Sequence, residues 1–279
     1  MAPRCRTIAA RVIALALVSG AVLVGSGAVA APFADDFESD APGTFPEGWV
    51  DVRLVALPNA PMPSATIVTT TDPVGAPTRA LQTIDAAAVS RGAFRPIDAG
   101  TLHALSADVR VDRFGVGSPD APDVSDWPLS IGVASLLPGS DLCCFPTAQV
   151  GLFVSAKTQG YRLYAIDGAG TASDIDLGLG ATEGVWRHVD LDVDGATGAV
   201  RTRIVDPILG TVLLYDARVI PGWSPASFDV LAFLGGQLSA GGTAGIGSLD
   251  DVSWTPVPEP ASVVLVAVGL TGLARARRR

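Results

Sequence analysis

The chain has 279 residues with 19 basic and 28 acidic side chains, a net charge of −9. Seven arginines and Glu259 lie in the two ends, so residues 31–256 keep 12 basic and 27 acidic side chains, net −15, with Lys157 the only lysine. That balance excludes binding nucleic acid through charge, and favours solubility and contact with divalent cations.

The N-terminus reads as a secretory signal. Arg4, Arg6 and Arg11 precede the apolar run from Val12 to Val24, and Ala28-Val29-Ala30 offers the small residues a signal peptidase requires. Cleavage is expected after Ala30, because a cut after Ala31 would place Pro32 at the new terminus, where its ring distorts the scissile amide. Signal peptidase is therefore the first processing partner. About 226 residues remain up to Pro256, enough for one large β domain with a full core.

Period two dominates this middle region. Leu105-Ser106-Ala107-Asp108-Val109-Arg110-Val111-Asp112 alternates small or apolar residues with polar ones, which predicts a strand with one face in a core. Val150–Val154 and Tyr161–Ile166 predict more deeply buried strands. With 31 glycines and 21 prolines supplying turns, and no long window of helical period outside the two ends, the fold class is all-β, a two-sheet antiparallel sandwich. A helical signal segment and a helical sorting segment are expected to flank it.

A hairpin is predicted over 189–204. Val189, Leu191 and Val193 alternate with Asp190, Asp192 and Asp194; after Gly195-Ala196-Thr197-Gly198, Val200, Thr202 and Ile204 alternate with Arg201 and Arg203. A four-residue loop sets Asp192 opposite Arg201 and Asp190 opposite Arg203 on the wet face, with Val193/Val200, Leu191/Thr202 and Val189/Ile204 facing the core. A slip of one residue would bury the aspartates, so the acidic triplet reads as a register device rather than a metal site.

Cys5 leaves with the signal, so the mature chain holds the adjacent pair Cys143 and Cys144, open to a vicinal disulfide, to pairing with another chain or to remaining as thiols. With only His103 and His188 elsewhere, they do not have zinc-site spacing. The stretch Gly235–Gly242 lacks the lysine and following helix of a phosphate loop and reads as a turn. Of the five tryptophans, Trp49, Trp186 and Trp254 sit in strand-like contexts and read as core, whereas Trp127 and Trp223 lie between prolines and are the candidate sugar-stacking rings.

At the C-terminus, Val257-Pro258-Glu259-Pro260 is followed by an apolar run and by Arg275, Arg277, Arg278 and Arg279. Pro258 and Pro260 prevent a helix from running back into the domain. The 14 residues 261–274 would reach about 21 Å as a helix, short of the ~30 Å hydrocarbon core, and the arginines would stay cytoplasmic. This order closely resembles the PEP-CTERM sorting tail of exopolysaccharide-producing Gram-negative bacteria. The resemblance implies that the chain is a substrate of an exosortase, is held transiently in the inner membrane through this tail, and then passes to the cell surface or extracellular matrix.

A second resemblance spans most of the mature domain. Phe33-Ala34-Asp35-Asp36-Phe37-Glu38 with Pro46-Glu47-Gly48-Trp49, then Gly184–Val189, then Gly247-Ser248-Leu249-Asp250-Asp251-Val252 look like the framework of concanavalin A-like lectin/glucanase jelly rolls; a galactose-binding-like order fits the same motifs. Both families place the first and last strands side by side. That would bring Asp36 and Glu38 near Asp250 and Asp251, a convergence whose repulsion a structural Ca2+ could neutralise.

Catalysis is not expected. Residues 31–256 contain only Glu38, Glu47 and Glu183 as glutamates, none in the alternating acidic strand that a glucanase needs. No Gly-x-Ser-x-Gly elbow occurs, and no nucleophile is identifiable for His188. The expected function is that of a non-catalytic exported surface or matrix protein associated with exopolysaccharide; the alternatives are a lectin-like module with a defined glycan and, least favoured, a polysaccharide hydrolase.

Overall fold

The computed structural model describes residues 32–53, 65–83, 91–117, 120, 122–123, 126–135, 147–237, 243 and 245–257. The expected signal peptide (1–30), the membrane segment 261–274 with its arginines, and the pair Cys143 and Cys144 lie outside the described residues. Residues Ala31–Val257 form one compact unit.

Fifteen strands are described. They are β1 (Phe33–Asp35), β2 (Val50–Arg53), β3 (Ala65–Thr71), β4 (Pro77–Thr83), β5 (Arg91–Gly100), β6 (Leu102–Phe114), β7 (Asp126–Ser135), β8 (Ala148–Val154), β9 (Gly160–Ile166), β10 (Ala172–Gly180), β11 (Trp186–Asp194), β12 (Ala199–Asp206), β13 (Thr211–Val219), β14 (Phe228–Gln237) and β15 (Gly245–Pro256). One sheet has the order β13-β12-β11-β6-β15-β4-β3, with β1 also paired to β15; the other runs β10-β9-β8-β7-β14-β5-β2. Every pairing is antiparallel. The chain is thus an all-β, two-sheet sandwich.

The alternation read from the sequence decides which face is inside. Leu105, Ala107, Val109 and Val111 of β6 join Val189, Leu191 and Val193 of β11 in the main core, against Ile131 and Val133 of β7 and Val150 and Leu152 of β8 from the opposite sheet. The residues between them in β6 and β11 are the polar ones, left on the outer face of the first sheet. The second sheet differs, because Phe94, Ala134, Val230, Ala232 and Leu234 form a separate buried cluster on its outer face. Its interior strand β8 is buried along its whole length, which explains why Val150–Val154 reads as continuously apolar.

The hairpin β11–β12 has the expected register in full: Asp190 faces Arg203, Asp192 faces Arg201, Leu191 faces Thr202 and Val193 faces Val200. Arg203 Nη1 lies 3.0 Å from Asp190 Oδ2, and Arg201 is paired with Asp192. Thr202 follows the inward pattern so strictly that its buried hydroxyl finds no hydrogen-bond partner.

The three motifs that suggested a jelly roll are structural latches. Asp35 accepts a hydrogen bond from Trp49 Nε1 at 2.9 Å and from the Phe37 amide at 3.1 Å, and the Phe37 ring, fully buried, packs against Trp49. Trp186 Nε1 donates to the Thr71 carbonyl at 2.6 Å while the Arg110 guanidinium lies over its ring. Trp254 Nε1 donates to His103 Nδ1 at 3.2 Å, so His103 carries its proton on Nε2 and donates a hydrogen bond from it to the Gly100 carbonyl; burial pushes its pKa down. The first and last strands are neighbours as expected, with Phe33 opposite Trp254 and Asp35 opposite Val252.

Candidate functional site

The outer face of the first sheet gathers polar side chains from strands far apart in sequence. Because β6 pairs with β11, Ser106 stands opposite Asp190 and Asp108 opposite His188. Asp108 Oδ1 accepts a hydrogen bond from His188 Nδ1 at 2.7 Å, His188 Nε2 lies 2.9 Å from Ser106 Oγ, and Ser106 donates to Asp190 Oδ1 at 3.0 Å. The expectation that His188 has no nucleophile beside it is corrected here: a serine 82 residues earlier is brought against its ring by cross-strand register.

These distances are those of a Ser-His-Asp relay. The hydrogen bond to Asp108, and then the charges of Asp108 and Asp190, raise the pKa of His188, against the opposing effect of burial. When protonated, His188 donates from both nitrogens, and the Ser106 hydrogen goes to Asp190. Ser106 also sits in mid-strand with both edges of β6 paired, where amides are committed to the ladder; an oxyanion hole needs uncommitted donors. The cluster cross-links β11 to β6 through side-chain hydrogen bonds.

The four carboxylates singled out near the paired termini come together only in part. Glu38 and Asp250 are linked through Thr78, whose hydroxyl lies 2.8 Å from Glu38 Oε1 and 3.0 Å from Asp250 Oδ2. Glu38 also accepts the Arg79 amide at 2.7 Å, and Asp36 accepts the Glu38 amide at 3.1 Å. A register shift in β15 between Asp250 and Ser253 places Asp251 at positive φ, and its amide donates to Asp250 Oδ1 at 2.9 Å. Burial raises the pKa of Asp250 to about 7, and burial with the charges of Asp108 and Asp36 raises that of Asp251.

Oxygens of Asp36, Glu38 and Asp250 thus face hydroxyl and amide donors, and the described residues contain no group of three or more His, Cys, Asp or Glu side chains placed to hold a metal ion. Three of the four carboxylates are already engaged by protein donors, which disfavours the structural Ca2+ expected there. EDTA is accordingly expected to leave the melting curve of the purified protein unchanged; a fall of several degrees, reversed by added calcium, would establish an ion-holding site.

Of the two candidate tryptophans, Trp223 lies in the loop between β13 and β14 as expected, whereas Trp127 lies in a strand. Trp127 is the second residue of β7, opposite Gly236, half-buried with its Nε1 unpaired. Trp223 packs on the hairpin turn: a Cβ placed on Gly198 would meet its ring at 2.4 Å, and its Nε1 donates to the Gly195 carbonyl at 2.8 Å. Proline on either side signals a turn but not which way the ring points. Of the glycine-rich stretch, Gly235–Gln237 ends β14 and residues 238–242 are outside the described residues.

A different aromatic residue is exposed beside the polar ladder. Tyr215 on β13, 61% exposed, stands at the rim of a groove of about 380 Å³ whose walls include Ser106, Asp190, Arg201, Arg203 and Thr255. A wider depression of about 710 Å³ shares Asp192 and Arg201 with it and extends past Ala217 and Val219 to Val257. No sequence signal separated Tyr215 from an ordinary strand tyrosine, since its exposure follows from β13 being the last strand of its sheet.

Among solved structures the chain is similar to a sialidase (TM-score 0.47, 11% identity, 82% of this chain but 18% of the sialidase chain). It is also similar to arcelin-5, a lectin-like defense protein from Phaseolus vulgaris (TM-score 0.46, 10% identity, 83% of this chain and 100% of that one), and to lectin II from Ulex europaeus (TM-score 0.46, 12% identity, 81% and 97%). No curated protein matches the sequence. Residues 256–279 match the PEP-CTERM protein-sorting motif, as Val257, Pro258, Glu259, Pro260 and the terminal arginines imply. That tail marks an exported protein with a C-terminal membrane-anchoring segment, processed by an exosortase.

Proposed function

We propose that this is a non-catalytic surface or matrix protein that an exosortase releases from the inner membrane and that then associates with exopolysaccharide. The observation that carries the reading is the joining of a sorting tail at 256–279 to a β-sandwich with an open polar face. A strongly acidic domain with a single lysine has no charge-based route to nucleic acid.

The test is to express the full chain in an exosortase-bearing cell and in its exosortase deletion. In the first, the expected product is a surface or matrix form without the tail that co-fractionates with the polymer and releases no reducing sugar from it. In the deletion, a tailed form should stay with the inner membrane. Recovery from the cytosol of an exosortase-bearing cell with both ends intact would overturn the reading.

A further inference from the structure

We propose that the groove across β6, β11, β12, β13 and β15 is a binding site for a neutral saccharide, with the ring of Tyr215 as its platform. This rests on the polysaccharide association proposed above and gives it a location and a ligand chemistry. The groove, at about 380 Å³, falls within the range of about 300–1,000 Å³ usual for small-ligand sites.

Its walls suit a polyhydroxylated ligand. Tyr215 exposes an aromatic face on which the apolar C–H face of a pyranose can lie, while its hydroxyl engages the Arg201 guanidinium. Around it converge hydroxyls from Ser106 and Thr255, carboxylates from Asp190 and Asp192 and guanidiniums from Arg201 and Arg203. A sugar hydroxyl both donates and accepts, so it can bridge a carboxylate and a guanidinium at once.

The charges argue for a neutral ligand. Arg201 is matched by Asp192 and Arg203 by Asp190, so these four groove residues sum to zero. An anionic sugar would have to pull an arginine from its partner, leaving an aspartate unpaired beside it, whereas a hydroxyl can join the existing pairs without breaking either. The ladder also holds the polar groups in place before the ligand arrives: Asp190 is fixed by both Arg203 and Ser106, and Ser106 by His188. Prior ordering reduces the entropy lost on binding. Since β13 is the last strand of its sheet among the described residues, none of them walls the groove with a further strand on that side, and a longer polymer can continue past Tyr215.

The experiment uses the exported protein as recovered from cells, with neutral and acidic fractions of the producing cell's own exopolysaccharide as probes. Wild type is compared by affinity electrophoresis and titration with Tyr215→Ala, the pair Asp190→Asn with Arg203→Gln, and Leu209→Ala, an exposed residue outside the groove. Melting curves establish that each variant is folded. The expected result is binding of the neutral fraction by wild type and Leu209→Ala, with affinity at least tenfold weaker for Tyr215→Ala and for the double variant. Equal binding by all four folded proteins would overturn the groove assignment and leave polymer association standing. Preference for the acidic fraction would overturn the ligand class. Binding of neither fraction by wild type would remove both proposals.

Discussion

Replacing Asp250 by asparagine is expected to raise the melting temperature at pH 8 by about 4–8 °C, on the order of 2 kcal/mol for a domain of this size, and to leave it nearly unchanged at pH 4. The cause lies in one hydrogen. Thr78 Oγ1 has a carboxylate oxygen on each side, Glu38 Oε1 at 2.8 Å and Asp250 Oδ2 at 3.0 Å, and can donate to only one. A protonated Asp250 resolves this by donating to Thr78, which then donates to Glu38. Asparagine, with an amide NH2 in place of that oxygen, makes the same chain of bonds at every pH.

Burial raises the pKa of Asp250 from 3.8 to about 7. The folded chain therefore binds more protons than the unfolded one across that interval, and stability falls as pH rises from about 4 through about 7. The interval corresponds to roughly 4 kcal/mol at the usual conversion. Asparagine keeps only one acceptor for the Asp251 amide, which lowers the net expectation to about 2 kcal/mol. His188 acts in the same direction at higher pH: its raised pKa contributes stability that is fully present below 6.5 and is lost as pH rises through the folded value. A residual slope above pH 6.5 should thus survive in Asp250→Asn and disappear on adding His188→Gln. Parallel pH-stability curves for wild type and Asp250→Asn would show that Asp250 is ionised throughout.

Trp223→Ala is expected to lower stability by about 3 kcal/mol while leaving polymer binding intact at a temperature where the variant is folded. The indole is the clamp on the tightest turn of the first sheet. It lies over Gly198, whose φ of +72° only glycine adopts readily, and ties the Gly195 carbonyl through Nε1. The neighbouring chain completes the clamp, with the Ile220 amide bonded to the Gly198 carbonyl at 3.0 Å and the Ala226 amide to that of Gly195 at 2.8 Å. Removing the ring uncovers the turn that sets the Asp190–Arg203 and Asp192–Arg201 register. Trp223→Phe, which keeps most of the packing and loses the hydrogen bond, should cost about 1 kcal/mol. Unchanged melting of Trp223→Ala together with loss of polymer binding would instead make Trp223 a ligand platform.

The two variants differ in how far the residues involved could be read without a structure. The hairpin was legible to the residue, because its partners are 9 and 13 positions apart, joined by a four-residue loop, and a slip would bury aspartates. The strands Leu105–Asp112, Val150–Val154 and Tyr161–Ile166 were legible for a similar reason, since period two reports which face is buried whatever strand lies alongside. The sorting tail is local too, a sequence of breaker, apolar run and charge that requires no partner.

What escaped depends on pairings between distant segments. Ser106 meets His188 across 82 residues and Thr78 meets Asp250 across 172, and each contact exists only because β6 lies between β11 and β15, and β4 beside β15. Alternation says that Ser106 and His188 each point outward, but many strand orders satisfy the same alternation, and only one puts them in register. The direction of Trp223, the exposure of Tyr215 and the scattering of the four carboxylates onto Thr78, Arg79 and backbone amides were settled at that same level. Periodicity along a chain encodes burial; which side chains share a face at 3 Å is set by packing among segments that the local pattern leaves free to permute.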